Sequence, residues 1–480
     1  MKFPEFAVSS FLIFILLHAA TGKPYNQSSR EQYNILHYLA ANGPYVDFSG
    51  FGIDSDVPFG CEVTQVQILM RHGERFPTIG AGKELCSLYK KLTSADISEY
   101  KGPLGFVKDW KYAFPEKDLE MESTVGVYAG LKRCHLEGER FNQKYGHLWG
   151  GKAKLPVFAA GQTRVVDSAK AFIRGFVGES RLFKAQVVVI PENSEQGANT
   201  LTSRAACVNA DDSANEDYIA RFDTSYLERE ARRLNSLSPG YDLSAEDVAS
   251  LVRSCAFELN VQGNSSICGV LSSDVYAGFS YQRDLYLYYN KGPGYNMSNA
   301  LGSLFVNASI ALLNQKDGVN SDGINGYEQK IFMSFSHDTD IISIASAFGL
   351  YEGQDSLPVD RIEFQRSFKV SDLVPMAGHL VLERLMCGKN EYVRIIMNES
   401  VYPLPWCQTG PGFSCPLELF TEHLQEMVDN NDYTKLCEQS KGPQKLTFFW
   451  DWETAGYRVI ELGESMNEQL DSSFYWNALG

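Results

Sequence analysis

The stretch Arg71-His72-Gly73-Glu74-Arg75-Phe76-Pro77 directly follows a strand-like run, Val63 to Met70, and sets a histidine between two arginines. Guanidinium forks match phosphate oxygens in geometry and charge, and an imidazole nitrogen beside them can attack phosphorus and carry the phosphoryl group. Gly73 lets the backbone approach an anion closely, and Pro77 fixes the exit of the loop. The pattern reads as a phosphate site with a nucleophile in it. An Arg-His-Gly triplet also arises by chance, so the reading requires a partner elsewhere in the chain.

Two further segments have the same strand, turn, helix form. Ile331 to Ser336 is an apolar run leading into His337-Asp338-Thr339-Asp340, after which Ile341 to Ala345 continues with helix-like apolar content. Taken alone, Asp338 would serve as a helix N-cap, since its charge suits the N-terminal dipole. Leu155 to Ala160 reads as a strand, Gly161 to Arg164 as a loop and Val165 to Phe176 as an amphipathic helix, so Arg164 also stands past a strand's carboxyl end. Open α/β sheets bind ligands outside those ends, and Arg71, His72, Arg164, His337 and Asp338 can therefore converge although they span much of the chain.

The longer motif Arg71-His72-Gly73-x-Arg75-x-Pro77, with Thr78 after it, resembles the signature of the histidine acid phosphatases, and His337-Asp338 matches the His-Asp pair those enzymes carry after a strand. The resemblance runs from about Cys61 to Trp452 and is closest to secreted yeast acid phosphatases and yeast phytases. It implies hydrolysis of phosphate monoesters through a phosphohistidine on His72, with Asp338 as proton donor and Arg71, Arg75, Arg164 and His337 binding the phosphate. No cofactor is expected, and no ligand spacing suggests a metal, because the guanidinium groups do the neutralising. It further implies disulfides joining Cys61 to Cys387, Cys207 to Cys437, Cys255 to Cys268 and Cys407 to Cys415, with Cys86 and Cys134 either paired or free.

Phytate (myo-inositol hexakisphosphate) is a strong candidate substrate, and a broad-specificity acid phosphatase is the alternative. Phytases of filamentous fungi carry several lysines just past the arginine-histidine signature; here only Lys83 matches, with Ala81 and Glu84 at neighbouring positions. The wording His-Asp-Thr-Asp also departs from their common His-Asp-Asn. Phosphoglycerate mutases share Arg-His-Gly-Glu but lack the Arg75-x-Pro77 continuation and the His-Asp donor. A non-catalytic secreted binding glycoprotein on the same fold would be expected to lose His72 or Asp338, and both are present.

The chain has 480 residues and a formal net charge of −16, which excludes general affinity for nucleic acid or an anionic membrane. The arginines must therefore create a local positive cup in a negative surface, with small-molecule phosphate esters as its partners. Residues 1–22, with Lys2 ahead of an apolar run from Phe6 to Leu17 and then Ala19, Ala20 and Gly22, read as a secretory signal peptide. No second apolar run reaches spanning length, and Ser472 to Gly480 lack the hydrophobic tail of a lipid-anchor signal. Ten cysteines without a Cys-x-x-Cys pair argue for disulfides rather than zinc, and sequons stand at Asn26, Asn264, Asn296, Asn307 and Asn398. A secreted glycoprotein, extracellular or held in the cell wall or periplasmic space, is the expectation.

The fold expected is α/β: an open, mostly parallel sheet flanked by helices, phosphoglycerate-mutase-like, with a smaller inserted helical domain. Residues 23–95, 151–205 and 317–480 are assigned to the large α/β domain, and 96–150 plus 206–316 to the inserted, mainly helical one. Val187 to Ile190 reads as another buried strand, and His379 to Met386 with Glu391 to Met397 as a strand pair around Gly388-Lys389-Asn390. The aromatic clusters Phe448 to Trp452 and Tyr286 to Tyr289 read as core or edge strand rather than as carbohydrate platforms.

Overall fold

The computed structural model describes residues 35–151, 153–315 and 329–463. The expected signal peptide, Asn26, the loop Gly318 to Gly326 and the tail Ser472 to Gly480 lie outside the described residues. One mixed sheet organises the chain, with strands β1 (Cys61–Arg71), β2 (Leu155–Ala160), β3 (Ala185–Ile190), β4 (Ile331–Ser336), β5 (His379–Cys387), β6 (Asn390–Met397), β7 (Ser400–Tyr402), β8 (Cys415–Pro416) and β9 (Arg458–Glu461). Their order is β7-β6-β5-β1-β4-β2-β3-β9, with β8 beside β6.

The strands β1, β4, β2 and β3 are parallel neighbours, and every residue of β2, β3 and β4 is buried. Their unbroken apolar runs are what a sheet covered on both faces requires. The remaining strands pair antiparallel, so the parallel character expected of the sheet belongs to its four-stranded centre. Chain connection explains this for β5 and β6: only Gly388 and Lys389 join them, Gly388 takes a positive φ of 67°, and so short a link permits only a hairpin.

Among the described residues the longer helices are nine: α1 (Ile79–Thr93), α2 (Gly130–Tyr145), α3 (Thr163–Val177), α4 (Ser225–Leu237), α5 (Ala245–Gln262), α6 (Ser273–Asn290), α7 (Ser298–Leu313), α8 (Asp338–Ala347) and α9 (Leu417–Asn430). Phe335 of β4, in register with Met70 of β1, meets Phe172 of α3 with ring centroids 5.4 Å apart. Gln65 and Gln67 of β1, on the other side of the pleat, donate to the main-chain oxygens of Leu312 and Ser309 in α7. Since side chains alternate along a strand, α3 and α7 cover opposite faces. Helix α2 lies along α3, with Phe141 against Phe172, and α7 packs on α8 and α9. These two helices, assigned by sequence to the inserted part, thus lie over the sheet, while α4, α5 and α6 pack on one another and α1 meets α5.

The disulfides are Cys61–Cys387, Cys207–Cys437, Cys255–Cys268 and Cys407–Cys415, and Cys86 and Cys134 are free thiols. Phe448 and Phe449 are buried against Phe158, as core. Of the sequons, Asn264 and Asn296 are exposed and Asn307 is half-buried. Asn398 is not a glycan site: it is fully buried, its amide donates to the oxygens of Asp372 and Leu373, and its Oδ1 accepts from His379 N at 2.7 Å. Among the described residues no helix is long and apolar enough to cross a membrane.

Candidate active site

The carboxyl ends of the parallel strands meet at one edge. Arg71 ends β1 and His72 follows it; His337 follows β4 and Asp338 opens α8; Arg164 stands in the first turn of α3, just past β2. Arg71 Nη2 lies 2.9 Å from Asp338 Oδ2, and the rings of His72 and His337 are 5.8 Å apart at 66°. Arg71, Arg75, Arg164 and His337 all act on the His72 charge, so the six residues singled out from the sequence surround one point.

The backbone of His72 is held from both sides. Its N–H donates to Ser336 O, Ala377 N–H donates to its carbonyl at 2.8 Å, and Arg71 N–H donates to Gly378 O at 2.8 Å. The ring Nδ1 lies 2.9 Å from Gly73 O, and since a carbonyl only accepts, Nδ1 carries the proton and Nε2 the free lone pair. Gly73 has no room for a side chain: a Cβ there would sit 2.8 Å from Gly130 O, 2.9 Å from Glu122 Oε2 and 3.0 Å from Cys134 Sγ.

The arginines divide their donors between scaffold and site. Arg71 Nη1 donates to the carbonyls of Ala41 and Val374, both at 2.7 Å, and Arg75 Nη1 to Phe76 O at 2.7 Å, with its guanidinium over the Phe257 ring. The Nε–H groups of Arg71, Arg75 and Arg164 are buried with no protein acceptor. Buried unpaired charged donors are costly, and an anion with several oxygens bound among these arginines would offset that cost.

Electrostatics sort the two acid–base groups. Burial, then Arg71, Arg75, Arg164 and His337, push the His72 imidazole well below its ordinary range, so it stays neutral and nucleophilic in acid. Burial alone would raise the Asp338 carboxyl, but Arg71 and then Arg75 and His337 hold it below the usual range. Burial and the crowding of Arg164 and Arg71 bring Arg75 down to about 9, a tension a phosphate would relieve.

The structure adds residues the motifs did not reveal. Glu192, two positions past β3, lies with both carboxylate oxygens 3.2 Å from His337 Nε2 and accepts from Gln162 N and Nε2 at 2.8 and 2.9 Å. It thereby ties the ends of β2, β3 and β4 and fixes the His337 ring. Its place after a buried strand was a usable signal. Arg283, midway along α6, stacks on Tyr286 with 4.7 Å to the centroid, and its charge and that of Asp338 act on each other. Arg253 of α5 pairs with Glu84 of α1 at 3.1 Å, and Lys83, the residue before Glu84, is exposed.

These features place a cluster of arginines, two histidines and an aspartate, suited to an anion with several oxygens, at the carboxyl edge of a three-layered α/β fold. The sequence profile of the histidine phosphatase superfamily (branch 2) matches residues 62–398, and the chain belongs to that family. An acid phosphatase of Komagataella pastoris is 40% identical over 442 residues, covering 89% of this chain and 92% of its own. A phytase of Candida albicans is 37% identical, covering 90% and 93%. The crystal structure of the phytase from D. castellii superposes with a TM-score of 0.84 at 36% identity, covering 91% of this chain and 94% of that one.

Proposed function

We propose that this protein is a secreted acid phosphomonoesterase that works by double displacement through His72. The observation that carries the reading is His72 with Nδ1 on the Gly73 carbonyl, set among Arg71, Arg75 and Arg164, whose buried Nε–H groups find no protein acceptor, with Asp338 paired to Arg71. In the first step Nε2 bonds to phosphorus as the ester P–O bond breaks, and Asp338 gives its proton to the leaving oxygen. In the second, Asp338 takes a proton from water as that water attacks the phosphohistidine, and phosphate leaves. Arg71, Arg75, Arg164 and His337 hold the equatorial oxygens throughout. A bound phosphate ester opposes the guanidinium charge that holds Asp338 ionised, so the proton brought by a monoanionic ester is favoured on Asp338 in the complex.

Arg164→Ala is expected to raise the transition-state free energy by roughly 2–5 kcal/mol, because a charged partner is lost in a partly desolvated site. Inhibition by inorganic phosphate should weaken in parallel. A change in kcat/KM worth under about 1 kcal/mol would place Arg164 outside the clamp.

Phytate is the substrate we favour. Arg283 and Lys83 supply cations beyond those around the first phosphate, and one relative carries the name phytase. A broad acid phosphatase is the second reading, favoured by the lone lysine past the signature and by the name of the Komagataella relative. Initial rates on phytate and on an aryl phosphate at pH about 4–5, near carboxylate pKa values, separate the two. Lys83→Ala should impair phytate more than the aryl ester; an equal response removes any special role of Lys83. Secretion is proposed from the leader-like residues 1–22 together with four disulfides. The division into a sheet domain and an inserted helical part is proposed likewise, with α4, α5 and α6 as the core of the insert.

A further inference from the structure

Behind His72 lies a buried clamp whose side chains are not among the phosphate-binding residues proposed above. The carbonyl of Gly73 accepts from His72 Nδ1, and a glycine carbonyl has no side chain of its own to fix its direction. The loop is instead gripped on both sides of that carbonyl. On one side Gly73 N–H donates to Glu122 Oε1 at 2.8 Å and to Ser168 Oγ at 2.9 Å. On the other, Ser123 N–H and Oγ donate to Glu74 O at 2.8 and 3.0 Å.

Glu122 is the centre of this grip. It is buried, and its Oε1 is in close hydrogen-bond contact with the Ser168 hydroxyl, whose single proton lies between Glu122 Oε1 and Arg164 O, the latter 2.8 Å away. Its Oε2 is buried without a partner, facing the space a Gly73 Cβ would fill. One side chain thus joins the loop of the nucleophile to the helical turn that carries a phosphate-binding arginine. No strand-end motif brings it there; it comes from a short segment before α2 whose backbone makes an isolated antiparallel bridge with Arg75.

We propose that Glu122 is a positioning residue for the nucleophile: by holding Gly73 N–H together with Ser168, it keeps His72 in the Nδ1–H form with Nε2 aimed at phosphorus. The proposal rests on His72 being the nucleophile. Burial first raises the Glu122 carboxyl well above its ordinary range, so the neutral acid is the form present in an acidic medium, and glutamine is its isosteric mimic.

The test uses the full-length protein with Glu122→Ala, Glu122→Gln and Ser168→Ala. Histidines are labelled with 15N, and the His72 ring is assigned by its disappearance in His72→Ala. In Glu122→Ala the single Nδ1–H tautomer of the wild type should become a mixture. Its kcat should fall by roughly 10²-fold, the scale of a small misplacement, with inhibition by inorganic phosphate within about 3-fold of wild type. Glu122→Gln should return kcat to within about 3-fold, because its amide oxygen still accepts from Gly73. Wild-type kcat in a folded Glu122→Ala protein overturns the proposal, as does a loss of rate matched by an equal loss of phosphate binding. If the alanine variant does not fold, Glu122→Gln and Ser168→Ala decide: a loss above about 10-fold in the glutamine variant, or an unchanged tautomer and rate in Ser168→Ala, also overturns it. Trapping of phosphate on wild-type His72 is scored separately, so failure of the nucleophile assignment is told apart from failure of the clamp.

Discussion

His72→Ala is expected to abolish turnover, a loss on the scale of roughly 10⁴- to 10⁶-fold, while the protein still folds and binds phosphate. The imidazole is buried but contributes little to the core, and its removal leaves one unpaired carbonyl, Gly73 O, at a cost of about 1 kcal/mol. The arginines keep their own anchors on Ala41, Val374 and Phe76, so the cup survives. The direct measurement is a rapid quench of labelled ester into alkaline denaturant, where a nitrogen–phosphorus bond persists. Label should appear on His72 in the wild type and nowhere in the variant. Label on an aspartate or serine, or substantial turnover without His72, would remove the histidine from the chemistry.

Asp338→Asn should reduce kcat/KM for an alkyl phosphate by roughly 10²- to 10⁴-fold, and for an activated aryl phosphate much less, since a stable phenolate leaves without a proton. Asparagine keeps the shape but cannot donate as an acid, and it frees Arg71 Nη2 from its 2.9 Å pairing, so phosphate binding should be equal or tighter. Because the second step also needs this carboxylate, the aryl ester should show a burst of phenolate followed by slow release of phosphate. Equal losses of kcat/KM on both esters would take Asp338 out of the acid role. The pH dependence has a definite sign. Asp338 is ionised above its lowered pKa, and a monoester loses its second proton near pH 6, so kcat/KM for an alkyl ester should fall as pH rises through about 6.

The parts of the site legible in the sequence were those where chemistry sits just past a strand. His72, Arg164 and the His337-Asp338 pair each follow a buried apolar run, and the carboxyl edge of the sheet gathers them whatever their spacing. Glu192 obeys the same rule and could have been found by it. Glu122 and Ser168 could not, since one sits in a single-residue bridge to Arg75 that no run of sequence marks and the other in an ordinary-looking helix, and only tertiary contacts bring both to Gly73. Arg283 sits at a helix position that composition cannot distinguish from solvent-facing arginines. The sequon at Asn398 misled for a related reason: a three-residue pattern carries no information on burial. The antiparallel flanks of the sheet were half legible, with the β5–β6 hairpin marked by its turn, and the edge strand β9 by nothing comparable.

The sheet order also constrains how the molecule is made. Strand β4 lies between β1 and β2, although it is encoded after both of them and after the whole run of helices from α4 to α7. On the ribosome, β1 and the β4-facing side of β2 must therefore wait with open hydrogen-bonding edges until residues 331–336 emerge, and β1's other neighbour, β5, comes later still. His72 is synthesised early but stays apart from Asp338 until β4 and the residues after it emerge. Under the proposed mechanism a nascent chain or a premature stop short of residue 331 lacks both the central strand that assembles the site and its acid, so competence waits for the last third of the 480 residues.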